Sequence, residues 1–220
     1  MSGASRMTPF SIYLITDRRL ARSGLLATCD EALAVAQKHQ VGVAVQLREK
    51  DLTARELYEL ACELRQLCTR RDALLLVNDR IDVAIASGAD GVHLPSDSFA
   101  VSDARKLLGP TRLIGVSTHN RAQLDVASEA DFAVFGPVFD PVSKKAYGPA
   151  TGPAVLAEAC ASASTPVYAL GGITPARIPE IRRSGTAGVA VIGTIIAADR
   201  PGEAMRELIE AMSSAPIPRN

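Results

Sequence analysis

Three short segments of this chain read alike. Ser87-Gly-Ala-Asp-Gly-Val-His-Leu94, Ser128-Glu-Ala-Asp-Phe-Ala-Val-Phe135 and Ser184-Gly-Thr-Ala-Gly-Val-Ala-Val191 each give a helix end, a tight turn and a short apolar run. Short, wholly apolar strands are buried on both faces, as in a parallel sheet covered by helices. Such runs recur at 12–16, 42–47, 73–77, 91–94, 112–116, 131–135, 167–170 and 188–192. Helical patterns separate them. One covers 30–38. Thr53-Ala-Arg-Glu56 is a capping box, and Leu57, Leu60, Leu64 and Leu67 then mark an apolar stripe. Ile81, Ala84 and Ile85 are expected on one face of the next helix, with Gly88 ending it. Others follow near 101–108, 120–128 and 202–212. Eight strand–helix units predict a single (β/α)8 TIM barrel over residues 11–213, near the lower end of its size range. Residues 1–10 read as a flexible tail and 214–220 as a second. An open doubly wound sheet would normally carry GxGxxG after an early strand, and the chain has none.

Composition narrows the partners. With 220 residues, 47% of them hydrophobic, the chain can bury one large core. Its 24 basic and 24 acidic residues cancel, which argues against nucleic acid or an anionic membrane as the main partner. Nothing approaches 18 consecutive apolar residues, so no membrane span is expected. The first eight residues lack the apolar centre of a signal peptide. Cys29, Cys62, Cys68 and Cys160 show no CxxC spacing and no paired histidines. Reduced thiols in a cytoplasmic protein fit better than disulfides or zinc.

In a barrel, chemistry gathers at the C-terminal ends of the strands. The second strand ends in Val43-Ala-Val-Gln-Leu-Arg-Glu-Lys50. Side chains two apart on a strand share a face, so Gln46, Arg48 and Lys50 are expected to converge while Leu47 and Glu49 turn away. An amide and two cations make a cup for a diphosphate, with charge-assisted bonds of roughly 1.5–3 kcal/mol each. Alone, these residues read first as a strand end that ionises harmlessly in water, and only second as an anion cup. The other strand ends reverse that order. They supply Asn78 and Asp79, His93 with the loop Ser96-Asp97-Ser98, and Ser117 and His119. The longest irregular segment, 136–152, carries Ser143, Lys144 and Lys145, and loops of this length are usually functional. Strands seven and eight end in Gly171-Gly172 and Gly193-Thr194, the usual phosphate site of such barrels, with a short helix expected after Gly193. Asp79 is a candidate Mg2+ ligand beside the first cup. Two phosphorylated substrates held face to face point to group transfer rather than hydrolysis.

Together these residues resemble the thiamine phosphate synthase family, from Tyr13-Leu-Ile-Thr-Asp-Arg18 to about Ile196. The motifs are Gln46-Leu-Arg-Glu-Lys50, Asn78-Asp-Arg80, Gly91-Val-His-Leu94, Gly115-Val-Ser-Thr-His119, Gly136-Pro-Val-Phe139 and Ala169-Leu-Gly-Gly-Ile-Thr174. The resemblance implies joining of a hydroxymethylpyrimidine diphosphate to a thiazole phosphate, with release of diphosphate. It implies that Gln46, Arg48, Lys50 and Asn78 bind the pyrimidine diphosphate and that Asp79 ligates Mg2+. Lys144, with Ser143 beside it, would contact the leaving diphosphate, and Ser117 would lie beside the reacting groups. Gly171, Gly172, Gly193 and Thr194 would hold the thiazole phosphate. A homodimer is left open.

Three places depart from the family pattern. The second metal carboxylate is Ser98, with Asp97 one residue early, so Asp97 could ligate only from a reshaped loop. The Pro-Thr-x-Thr-Lys segment is Pro141-Val-Ser-Lys144, and the usual serine near the last strand is Gly193. Ser98 and the Lys144-Lys145 pair also resemble the related thiazole tautomerase. That enzyme's histidine after strand six is here Pro137, which moves no protons. A tautomerase-like isomerase and a non-catalytic thiazole phosphate binder are the alternatives.

Overall fold

A computed structural model describes residues 8–140 and 149–214. Its strands are β1 Ile12–Ile15, β2 Val43–Leu47, β3 Leu74–Asn78, β4 Gly91–Leu94, β5 Leu113–Thr118, β6 Phe132–Phe135, β7 Val167–Leu170 and β8 Gly188–Val191. They pair in sequence order, all parallel, and β8 closes on β1 through Ile12 opposite Val189. The helices are α1 Leu25–Lys38, α2 Ala54–Arg70, α3 Ile81–Ala86, α4 Val101–Leu108, α5 Arg121–Val126, α6 Gly152–Ser162, α7 Ile178–Arg183, α8 Gly193–Ile196 and α9 Pro201–Ser214. The predicted (β/α)8 barrel is therefore the observed fold. Because every strand runs the same way, all eight C-terminal ends open on one rim.

Strand alternation divides the apolar residues into two layers. Ile12, Leu14, Val43, Val45 and Leu47 point outward to the helices. Phe10, Tyr13, Ile15, Ala44, Leu76, Phe132, Val134 and Tyr168 fill the inside. Each fully buried side chain of this kind contributes about 1.5–3 kcal/mol. The rings of Phe10, Tyr13, Phe132 and Tyr168 touch at centroid distances from 5.0 to 5.7 Å. Glycine makes room for them: a Cβ on Gly115 would lie 2.3 Å from Phe132 Cζ. Phe10, which the sequence puts in the tail, is 4% exposed, and its carbonyl accepts a bond from the Tyr168 hydroxyl at 2.5 Å. It closes the N-terminal end of the barrel.

The capping box of α2 forms as expected, with Thr53 N donating to Glu56 Oε2 at 2.9 Å and Glu56 N donating to Thr53 Oγ1, a device worth about 1 kcal/mol. Two expectations change. Helix α1 begins at Leu25 rather than near Asp30, because Gly24 at φ 85 starts it without a side-chain cap and so leaves no capping signal to read. In α3, Ile81 and Ala84 are buried but Ile85 is 42% exposed. Val83 is buried instead, since so short a helix turns only two or three positions onto the barrel.

Two of the three echoed segments share a bracket. Asp90 Oδ2 accepts Leu75 N at 2.8 Å, and Asp131 Oδ2 accepts Ile114 N at 2.8 Å. Arg65 of α2 pairs with Asp90, and Arg105 of α4 pairs with Asp131. Each carboxylate ties the start of one strand to the preceding unit. Among the described residues no helix is long and apolar enough to cross a membrane.

Candidate active site

The rim begins at the ends of β1 and β2. Gln46 is 1% exposed and donates from Nε2 to the Tyr13 hydroxyl at 3.1 Å, so it forms part of the floor. Burial holds the Tyr13 phenol far above its ordinary range, and it stays protonated. The ladder stops at Leu47. Arg48 is half-buried and Lys50 exposed. Glu49, by contrast, is 5% exposed. It accepts the Thr16 hydroxyl proton at 2.7 Å, Arg18 N at 2.9 Å and Arg18 Nη1 at 3.2 Å. The alternation that sends Glu49 away from the cup is thus observed. Its partners Thr16 and Arg18, both in the turn directly after β1, are the functional candidates that strand-end reasoning missed.

The next two strands give Asn78, Asp79 and His93. Asp79 adopts φ 63, a left-handed conformation that Asp tolerates better than most residues. Its N–H donates to the His93 carbonyl at 2.8 Å, which fixes the turn. The Ser98 hydroxyl donates to Asp79 Oδ1, so the loop after β4 folds back onto the β3 rim. Asp97, the other candidate ligand, is exposed. Among the described residues no cluster of three or more His, Cys, Asp or Glu side chains could hold a metal ion.

His93 points into the barrel, 2% exposed, and its Nε2 lies 2.9 Å from Ser117 Oγ on β5. Burial, and then the positive charge of Arg48, push its pKa down to about 3. The ring is neutral at physiological pH. Its Nδ1 is buried and has no hydrogen-bond partner among the described residues. Ser117 thus stands at the rim against a neutral histidine whose own surroundings include the charge of Arg48. His119 is exposed and uses Nδ1 on the Gly136 carbonyl at 2.6 Å, next to Pro137.

The glycine turns face this group across the mouth. Gly171 has φ 101 and Gly172 φ 61, conformations that side chains resist. The Gly171 carbonyl accepts Phe139 N at 3.2 Å. The Gly172 carbonyl accepts Arg177 Nη1 at 2.5 Å, and that guanidinium lies 4.4 Å over the Phe139 ring. Thr194 Oγ1 donates to the Ile173 carbonyl at 2.5 Å, tying the β8 turn to the β7 turn. The short helix expected after Gly193 is α8. Gln46, Arg48, Lys50, Asn78, Asp79 and Ser117 therefore follow one another along β2 to β5, with Gly171, Gly172, Gly193 and Thr194 on β7 and β8. Ser143, Lys144 and Lys145 lie outside the described residues.

Such a rim suits two anions: side-chain donors and cations on one arc, backbone turns on the other. Known proteins share the sequence and the fold of this chain. Residues 12–195 match the family described as thiamine monophosphate synthase. A Geobacter sulfurreducens protein is 51% identical over 203 residues, 91% of this chain and 93% of its own. The thiamine-phosphate synthase of Laribacter hongkongensis is 39% identical over 206 residues, 92% of this chain and 95% of its own. A solved thiamine phosphate pyrophosphorylase from Pyrococcus furiosus superposes with a TM-score of 0.80 at 31% identity, covering 93% of this chain and 96% of that one. The chain belongs to the thiamine monophosphate synthase family.

Proposed function

We propose that this chain is a thiamine phosphate synthase, a transferase that joins hydroxymethylpyrimidine diphosphate to thiazole phosphate and releases diphosphate. The observation that carries this is the divided rim, in a chain matched almost end to end by proteins named for that reaction. Gln46, Arg48, Lys50 and Asn78 bind the pyrimidine diphosphate, and Lys144, with Ser143 beside it in the sequence, contacts the leaving diphosphate. Gly171, Gly172, Gly193 and Thr194 hold the thiazole phosphate.

The C–O bond to the pyrimidine methylene breaks, and diphosphate leaves with the electron pair. The thiazole nitrogen then gives its lone pair to that carbon. It carries no proton, so no base is required. The protein's work is to stabilise the departing charge and to align the nucleophile. Arg48 and Lys144 serve the first task, the glycine turns the second. Ser117, held by neutral His93, offers its hydroxyl beside the reacting carbon.

Mg2+ fits this rim. It takes hard oxygen ligands, commonly one or two carboxylates together with substrate phosphates, and the Asp79 carboxylate with the Ser98 hydroxyl is a donor set of that kind. Asp79 would hold the ion, which would supply positive charge to the diphosphate.

A second reading has one observation in its favour. His119, bonded to the Gly136 carbonyl, stands beside the place where a tautomerase carries its histidine. The deciding assay supplies pyrimidine diphosphate, thiazole phosphate and Mg2+ and follows thiamine phosphate and diphosphate. Formation of both, lost in Lys144→Ala, is expected. No product, with turnover of a thiazole carboxylate phosphate instead, would establish the isomerase.

A further inference from the structure

The family motif Thr16-Asp17-Arg18 and the glutamate of Gln46-Leu-Arg-Glu-Lys50 are left unused by the reaction, yet Thr16 and Arg18 both bond to Glu49 at the ends of β1 and β2. Arg48 lies one residue beyond β2, just past the last pairs of that strand with β1, Ile15 opposite Gln46, and with β3, Leu47 opposite Val77. Its N–H donates to Thr16 Oγ1 at 2.9 Å. The Thr16 hydroxyl proton goes to Glu49 Oε1 at 2.7 Å, which orients the oxygen lone pair toward Arg48 N. Glu49 is held in turn by Arg18 through both its N–H and its guanidinium. Arg18 is anchored on Asp51, Nη1 to Oδ1 at 2.6 Å and Nη2 to Oδ2 at 2.9 Å.

We propose that Thr16 and Glu49 are positioning residues for Arg48: they fix the backbone of residue 48, and so aim its guanidinium at the diphosphate. This rests on the assignment of Arg48 to the diphosphate cup. Glu49 itself meets no substrate. It is buried on the α1 side, where its charge joins burial and Cys68 in pushing the Cys29 thiol up to about 12. A carboxylate there does for the strand end what a ladder bond does within a strand. It is also the fixed acceptor that keeps the Thr16 hydroxyl from rotating.

The test compares Thr16→Val, which keeps the shape and loses the hydroxyl, with Thr16→Ser, which keeps the hydroxyl, and with Glu49→Gln. Both KM values and the binding of inorganic diphosphate by calorimetry are measured for wild type and variants. Thr16→Val and Glu49→Gln are expected to lower kcat/KM for the pyrimidine diphosphate about tenfold to a hundredfold, the scale of a misplacement near 1 Å. The KM for thiazole phosphate should change less than about twofold, and Thr16→Ser should recover most of the loss. A purely structural clamp would lower the melting temperature and weaken both substrates equally, and that outcome overturns the proposal. Wild-type protein that binds diphosphate, with variants that bind it equally well, also overturns it. Wild-type protein that neither binds diphosphate nor makes product would instead defeat the proposed function, and the positioning role with it.

Discussion

His93 Nε2 and Ser117 Oγ lie 2.9 Å apart across the step from β4 to β5. The ring is buried among aromatics, 5.6 Å from Tyr13 and 6.2 Å from Phe132 by centroid. Burial there disfavours the imidazolium, so the histidine serves as a neutral partner rather than a cation.

That environment gives a stability signature. The folded pKa is about 3, against about 6.5 for an unfolded histidine. Between these values the unfolded chain binds a proton that the folded one does not, so stability rises with pH across this window. It is complete above about 6.5 and is lost as pH falls. The slope reaches at most about 1.4 kcal/mol per pH unit. Urea midpoints between pH 5 and 7 should show it in wild type and much less of it in His93→Gln. Equal slopes would place the histidine's charge elsewhere.

Ser98 hydrogen-bonds Asp79. In Ser98→Asp two carboxylates would face each other, which suits a divalent cation and repels without one. The Mg2+ concentration for half-maximal rate should fall about tenfold, the scale on which ligand-shell changes act. Melting without metal should drop at neutral pH. An unchanged metal dependence would assign the second ligand to Asp97.

Arg48→Ala should reduce turnover far more than it reduces melting temperature. Removing a transition-state charge contact costs about 3–4 kcal/mol of activation energy, whereas a side chain at the rim adds little to the core. Paired kinetics and thermal melts check this, and a large melting loss with unchanged rate would contradict the site.

Gly115→Ala tests the inner layer. The added methyl would meet the Phe132 ring at 2.3 to 2.8 Å. Overpacking of this kind costs about 1–3 kcal/mol, and chemical denaturation should register it. The thiazole phosphate KM should barely move, because the clash is below the rim.

The barrel was legible because its signals are local. Short apolar runs, the Thr53–Glu56 box and the echoed turns each declare themselves within ten residues. The rim followed from one topological rule applied to each strand end, and it brings Gln46, Asn78, Asp79 and Ser117 to one mouth. What escaped was long-range. Glu49 looks idle on alternation alone, because its partners Thr16 and Arg18 stand 33 and 31 residues earlier. The echo exposes Asp90 and Asp131, yet nothing nearby in the chain shows that they accept Leu75 N and Ile114 N. At the third echo the same place is Ala187, so the bracket is not a fixed property of the repeat. Phe10 sits beside Pro9 and reads as tail, because its aromatic partners belong to β1, β6 and β7.

Phe10 also governs traffic. With its ring against Tyr13, Phe132 and Tyr168, the far end of the barrel is stoppered, and the vessel has one door. The filled interior gives a ligand no passage, so every molecule that reaches the site must arrive and leave by the C-terminal ends of the strands.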